Sequence, residues 1–185
     1  MKALTRQPQT TSRQSLKQMC SVYTDLDAEM LIAAAALHDI GKIVELKTTM
    51  TGEADYTIDG RLFGHTPIGI QMIEKAAEEL GVKCERIRLL EHCIAAHHGK
   101  AEYGAITVPA TAEAQALNIL DTLDAKMYQF EDAYRSVDCG MLSGKIFALD
   151  NTTIYRPCDE KELEKYFESG EQNAETDGGG TLYEA

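Results

Sequence analysis

Along most of the chain, apolar residues recur every three or four positions, as on a helix face; they alternate only briefly. Leu16, Met19, Cys20 and Tyr23 share one stripe, which predicts a short helix over 12–23. The run "MLIAAAAL", Met30 to Leu37, is apolar almost all round and reads as a buried helix. Asp25 or Asp27 can cap it, it runs to about Asp39, and Gly41 fits just past its end. From Ile43 to Gly60 the pattern shifts to partial alternation, with Gly52 and Asp59-Gly60 as turn signals, and predicts a small hairpin. "GHTPIGIQMIEKAAEELG" returns to helical spacing. Thr66 reads as its cap, Pro67 as its first residue and Gly81 as its stop, with Ile68, Met72, Ile73, Ala76, Ala77 and Leu80 facing inward.

A fourth helix covers about Lys83 to His97, with Ile87, Leu90 and Ile94 on a stripe that ends at His97 or His98. A loop over 100–110 precedes a helix over Thr111–Met127 and a short one near Glu131–Val137. "KIFALDNTTIYRP" reads as a strand or extended closing segment, and "KELEKYFE" as a last helix. Residues 1–10 and the acidic, Gly-rich 169–185 read as disordered. The pattern predicts an all-α helical bundle with a small β-hairpin inserted. Its parts are an N-terminal segment over 1–24, one domain over 25–158 and an acidic tail over 159–185.

One feature of this pattern is costly. His38-Asp39 follows directly on the apolar run, and Asp121 sits within the amphipathic "ALNILDTLDAKM". A lone histidine at a helix end commonly satisfies carbonyls or favours the negative pole of the helix, and His92 is left with that reading. For His38, Asp39, His65, His97, His98 and Asp121 together it is strained. Several lie in or beside apolar stripes, where an unpaired carboxylate costs several kcal/mol. A divalent cation resolves them all, and mixed imidazole and carboxylate ligands suit Mn²⁺, Fe²⁺, Co²⁺, Ni²⁺ or Zn²⁺.

Composition narrows the chemistry. The chain of 185 residues is 44% hydrophobic, enough for one packed domain. No apolar run approaches the roughly 18 residues of a membrane span, and no signal-peptide pattern is present. The five cysteines are odd in number and contain no C-x-x-C pair, which predicts neither a disulfide framework nor a cysteine zinc site, and favours a reducing cytoplasm. The net charge is −12. A long nucleic acid held by the overall field needs a basic surface. Any nucleic-acid substrate must therefore be held locally, by metal or by a few lysines.

The motifs "LHDIGK", "LFGHTPIG", "AAHHGK", "LDTLDAKM" and "FALDNTTIYRP", in that order, resemble the HD-domain metal-dependent phosphohydrolases. Within that superfamily they are similar to the HD portion of the YhaM-type 3′–5′ exoribonucleases. The resemblance spans about residues 26–157 and implies an HD-domain helical bundle. It implies that His38, Asp39 and Asp121 bind one metal. It implies also that His65, His97 and His98 would bind a second, with Asp39 bridging, so that the site would hold one or two ions. Lys42 would reach a substrate phosphate and Asp124 would orient ligands or water. The implied activity is hydrolysis of phosphodiester or phosphomonoester bonds by a metal-activated water.

Two departures stand out. The family carries a histidine on its first helix, about 30 residues ahead of His-Asp, where this chain reads "QPQTTSRQSLK". Gln7 or Gln9 would be a poor replacement. YhaM-type enzymes also carry an N-terminal OB-fold for which this chain has no room, so processive decay of long RNA is not expected. Two alternatives therefore stand beside the enzyme: a catalytically impaired metal-binding interaction module, and a nucleotidase unrelated to RNA decay. The pattern says nothing of oligomeric state.

Overall fold

A computed structural model describes residues 9–162, and side chains from residue 15. The expected disorder over 169–185, and most of residues 1–10 and of "KELEKYFE", lie outside the described residues. Among these, seven α-helices and one two-stranded sheet make the chain mostly helical, as the pattern predicts. They are α1 (Gln9–Val22), α2 (Ala28–Leu37), α3 (Lys42–Glu45), β1 (Leu46–Thr48), β2 (Ala54–Tyr56), α4 (Ile58–Phe63), α5 (His65–Glu79), α6 (Glu85–Ala96) and α7 (Ala112–Tyr134). The chain divides into two compact units between Asp124 and Ala125.

The first unit is built around α2. Asp27 is its cap, with Oδ1 accepting from Met30 N–H at 2.9 Å. The same aspartate takes the Arg86 guanidinium at 2.7 Å, and its own N–H donates to Glu113, so the starts of α2, α6 and α7 are tied together. Leu31, Ala34, Cys93, Ile94 and Ala114 are fully buried, and Leu16 of α1 and Leu117 of α7 pack into the same cluster. Ala34, Ala96 and Ala114 let these helices approach closely. Burial of each leucine or isoleucine contributes roughly 1.5–3 kcal/mol.

The helix ends depart from the sequence reading in instructive ways. Helix α2 stops at Leu37, and a turn leads straight into α3, a one-turn helix that the alternating pattern concealed. Gly41 is not a left-handed stop, since its φ is −62°. It is required by contact: a Cβ there would lie 1.9 Å from the His65 carbonyl oxygen. Gly60 is likewise no turn residue. It lies inside α4, which Thr57 caps, and a Cβ would meet the Glu45 carbonyl at 2.2 Å. The hairpin is present, with Leu46 opposite Tyr56 and Gly52 in its turn at φ +81°.

Helix α5 begins at His65 after Gly64, so Thr66 is a buried first-turn residue and not the cap. Its buried face runs through Thr66, Ile68, Gly69 and Ala77; Ala76 is exposed, and Leu80, expected inside, is 77% exposed. Gly81, at φ +65°, ends it as expected. Helix α7 continues unbroken to Tyr134, where two helices were expected.

In the second unit, Ala133, Leu149 and Ile154 form a small cluster with Phe130, Tyr134 and Ile146. "KIFALDNTTIYRP" is not a strand. It forms a 3₁₀ turn at Phe147–Leu149, with single bridges from Ile146 to Thr152 and from Leu142 to Tyr155. Asp150 and Asn151, both at positive φ, make the tight reversal that breaks pairing. A disulfide joins Cys139 to Cys158, against the expectation of none. Their 19-residue separation carries no motif, and the pairing removes the cysteine argument for a reducing compartment. No helix among the described residues is long and apolar enough to cross a membrane.

Candidate metal centre

Four histidine rings and two carboxylates converge where the end of α2, the start of α5, the end of α6 and the middle of α7 meet. His38 caps α2, His65 opens α5, His97 caps α6 and is followed by His98, and Asp121 lies on α7. The His97 and His98 ring centroids are 3.8 Å apart, and His38 and His65 lie 5.2 and 5.6 Å from His97. One nitrogen from each of His65, His97 and His98 can be chosen so that all lie within 4.8 Å of one another, and this trio could hold a metal ion.

Asp39 joins the halves of the cluster. Its Oδ2 is 3.4 Å from His38 Nε2 and its Oδ1 is 3.5 Å from His65 Nε2. Asp121 Oδ1 lies 3.5 Å from His38 Nε2. Lys42, one turn on, places Nζ 2.8 Å from Asp39 Oδ2. Asp124 is half-buried one turn after Asp121.

Backbone carbonyls fix the rings. His38 Nδ1–H donates to Ala35 O at 2.9 Å, and His97 Nδ1–H donates to Ile94 O at 2.6 Å. In each the carbonyl belongs to the residue three positions earlier, at the frayed end of a helix where carbonyls lack partners. The bland role of a helix-end histidine is thus fulfilled through Nδ1, and Nε2 is turned to the centre. His97 is 1% exposed, yet its Nε2 has no hydrogen-bond partner, nor has the buried Asp39 Oδ1. Orphaned buried polar atoms are rare. A nitrogen and an oxygen orphaned in one cluster fit the donor set of a divalent cation.

The electrostatics agree. Burial disfavours a charged His38, but hydrogen bonds to Asp121 and Asp39 outweigh it and raise its pKa to about 10. In the metal-free protein a proton on Nε2 therefore stands between the two carboxylates. Burial alone would raise Asp39 and Asp121, yet their contacts with His38, and for Asp39 also Lys42, leave both lowered. Burial pushes His97 down to about 4, so it is neutral and ready to donate a lone pair. Burial lowers His98 too.

His92 stands apart: its Nε2 accepts from Ala110 N–H at 2.9 Å and holds the loop before α7. Two residues of the cluster's surroundings were missed. Asn118 Nδ2 donates to His97 O at 2.7 Å and packs on Gly99, whose φ of +75° turns the chain away after His98. Its position one turn before Asp121 was the available signal. Glu45, hidden in the supposed hairpin, places its carboxylate against His65.

Comparison with known proteins now fits this geometry. The HD domain family matches residues 12–126, and the chain belongs to that family. It is 41% identical over 141 residues to the 3′-5′ exoribonuclease YhaM of Geobacillus sp. (strain WCH70), covering 76% of this chain and 43% of that protein. It is 40% identical over the same length to YhaM of Bacillus subtilis (strain 168), covering 44% of it, and equally similar to YhaM of Bacillus pumilus (strain SAFR-032). The chain thus spans less than half the length of these relatives. No solved structure matches it.

Proposed function

We propose that this chain is a metal-dependent phosphohydrolase that cleaves phosphodiester or phosphomonoester bonds in nucleotides or short oligonucleotides. The observation that carries the reading is the pair of orphaned buried atoms, Asp39 Oδ1 and His97 Nε2, inside a cluster of four imidazoles and two carboxylates. The exoribonuclease activity named for the relatives favours RNA ends as substrate. The net charge of −12 favours a short one.

His65, His97, His98 and Asp39 would hold one cation, and His38, Asp39 and Asp121 a second, with Asp39 shared. Mn²⁺, Fe²⁺, Co²⁺, Ni²⁺ or Zn²⁺ suit these donors. When bound there, a divalent cation supplies a water of lowered pKa and positive charge against the phosphoryl oxygens. Lys42 is half-exposed and paired with Asp39, so its ammonium can turn to a substrate phosphate and offset charge building there. Asp124 would orient the ligands on its helix.

A second reading has one observation in its favour. No histidine precedes His38, which leaves His38, Asp39 and Asp121 as the donors for the second cation. A protein that binds metal there weakly would be an impaired, metal-binding interaction module. Stripping the protein with chelator and restoring Mn²⁺ over a panel of bis-p-nitrophenyl phosphate, p-nitrophenyl phosphate, nucleotides and short RNA separates the two. Mn²⁺-dependent turnover supports the enzyme. Metal uptake without turnover on any substrate supports the module.

A further inference from the structure

We propose that Glu45 is a positioning residue that fixes the tautomer of His65, so that Nε2 presents its lone pair to the cluster; this rests on reading the cluster as a metal site. Glu45 is the one acidic residue among the described ones to be buried, at 8% exposure. A buried carboxylate is costly unless paired, and no lysine or arginine pairs with it among the described residues. Its partners are both on His65. Oε1 accepts from the His65 backbone N–H at 3.1 Å, and Oε2 and Oε1 lie 3.3 and 3.4 Å from Nδ1.

A carboxylate accepts hydrogen bonds and donates none, so the proton of a neutral His65 belongs on Nδ1. That leaves Nε2 bare, 3.1 Å from His98 Nε2 and 3.5 Å from Asp39 Oδ1. Carbonyls take the Nδ1–H of His38 and His97 in the same way. His65 opens its helix, so no earlier turn of α5 supplies a carbonyl, and it uses Glu45 instead. The carboxylate cannot easily withdraw. Thr57 N–H donates to the Glu45 carbonyl at 2.9 Å, Gly60 packs on that same oxygen, and Gly41 seats α3 against His65 O.

Capping α5 is the plainer role for Glu45. It explains the bond to the backbone N–H but not the second oxygen on Nδ1. The test is long-range ¹H–¹⁵N NMR of the metal-free protein, with His65 assigned through His65→Gln, together with Mn²⁺ titration of Glu45→Gln and Glu45→Leu. The expected result is an Nδ1–H tautomer for His65. Glu45→Gln, whose single oxygen can serve both donors, should stay within about threefold of the parent in Mn²⁺ affinity, and Glu45→Leu should lose about 10–100-fold. An Nε2–H tautomer in the unmodified protein overturns the proposal, as does a folded Glu45→Leu with parental affinity. If Glu45→Leu does not fold, the tautomer of the unmodified protein decides. Protein that takes up no Mn²⁺ but shows the Nδ1–H tautomer supports this assignment while overturning the proposed function.

Discussion

His65 Nε2 lies 3.1 Å from His98 Nε2. Two imidazole nitrogens at that distance must share a hydrogen or share a cation. With the Nδ1–H tautomer proposed for His65, the hydrogen is expected to come from His98 in the metal-free protein. Metal uptake should therefore shift the proton of His98 off Nε2, while His65 keeps its own.

Asp39 is the one carboxylate among the described residues that pairs with both His38 and His65, at 3.4 and 3.5 Å. Asp39→Ala is expected to lower Mn²⁺-dependent hydrolysis by about 100-fold or more and to weaken metal binding, with the helical circular dichroism unchanged. Retained metal and activity would refute a shared carboxylate.

His92→Ala is expected to leave metal stoichiometry unchanged, because its ring is engaged with Ala110 N–H. The loop before α7 should loosen, costing about 0.5–1.5 kcal/mol. Metal analysis beside a denaturant melt checks both halves.

Gly41→Ala should be severe for its size. The added methyl would stand 1.9 Å from His65 O, with backbone on the other side, so α3 and α5 must part. A loss of about 1–3 kcal/mol or more is expected, together with weaker Mn²⁺ binding. Gly52→Ala, in open space but at φ +81°, should lose stability without touching the metal site.

In metal-free protein the cluster is expected to be most stabilising near pH 6.5. His38 is raised to about 10, so its contribution is complete below the unfolded value of about 6.5 and is lost as pH climbs towards 10. His97 is lowered to about 4, so the unfolded chain takes up its proton first as pH falls from 6.5, and the folded state weakens. Asp39 and Asp121, both lowered, add to the acid loss below about 4. His38→Gln should flatten the alkaline limb in melts from pH 6.5 to 9, and should also weaken the acid limb, because His38 is what lowers both carboxylates.

The helix ends that gather the cluster were legible because burial and polarity conflict there. A histidine and an aspartate directly after an apolar run announce a compensating charge, and "HHG" repeats the signal. What the pattern concealed was set by contact at a distance. Gly41 and Gly60 look like stops and turns but serve close backbone approach, which no local period encodes. Glu45 looks like a polar hairpin residue until α5 is folded against it. The exposed Leu80 and unbroken α7 show helix propensity running past the face that tertiary packing selects. Cys139 and Cys158 are brought together by a reversal at Asp150-Asn151 that the apolar pattern reads as extended.

The central claim, that these side chains form a metal centre, is tested most directly by titrating metal-free protein with Mn²⁺ and following heat and bound metal. With a full set of donors at His65, His97, His98 and Asp39 and a poorer set at His38 and Asp121, the account predicts tight uptake of about one ion per chain and a weaker second step. His97→Ala should abolish the tight step. No uptake by folded protein, or uptake that survives His97→Ala unchanged, would contradict it.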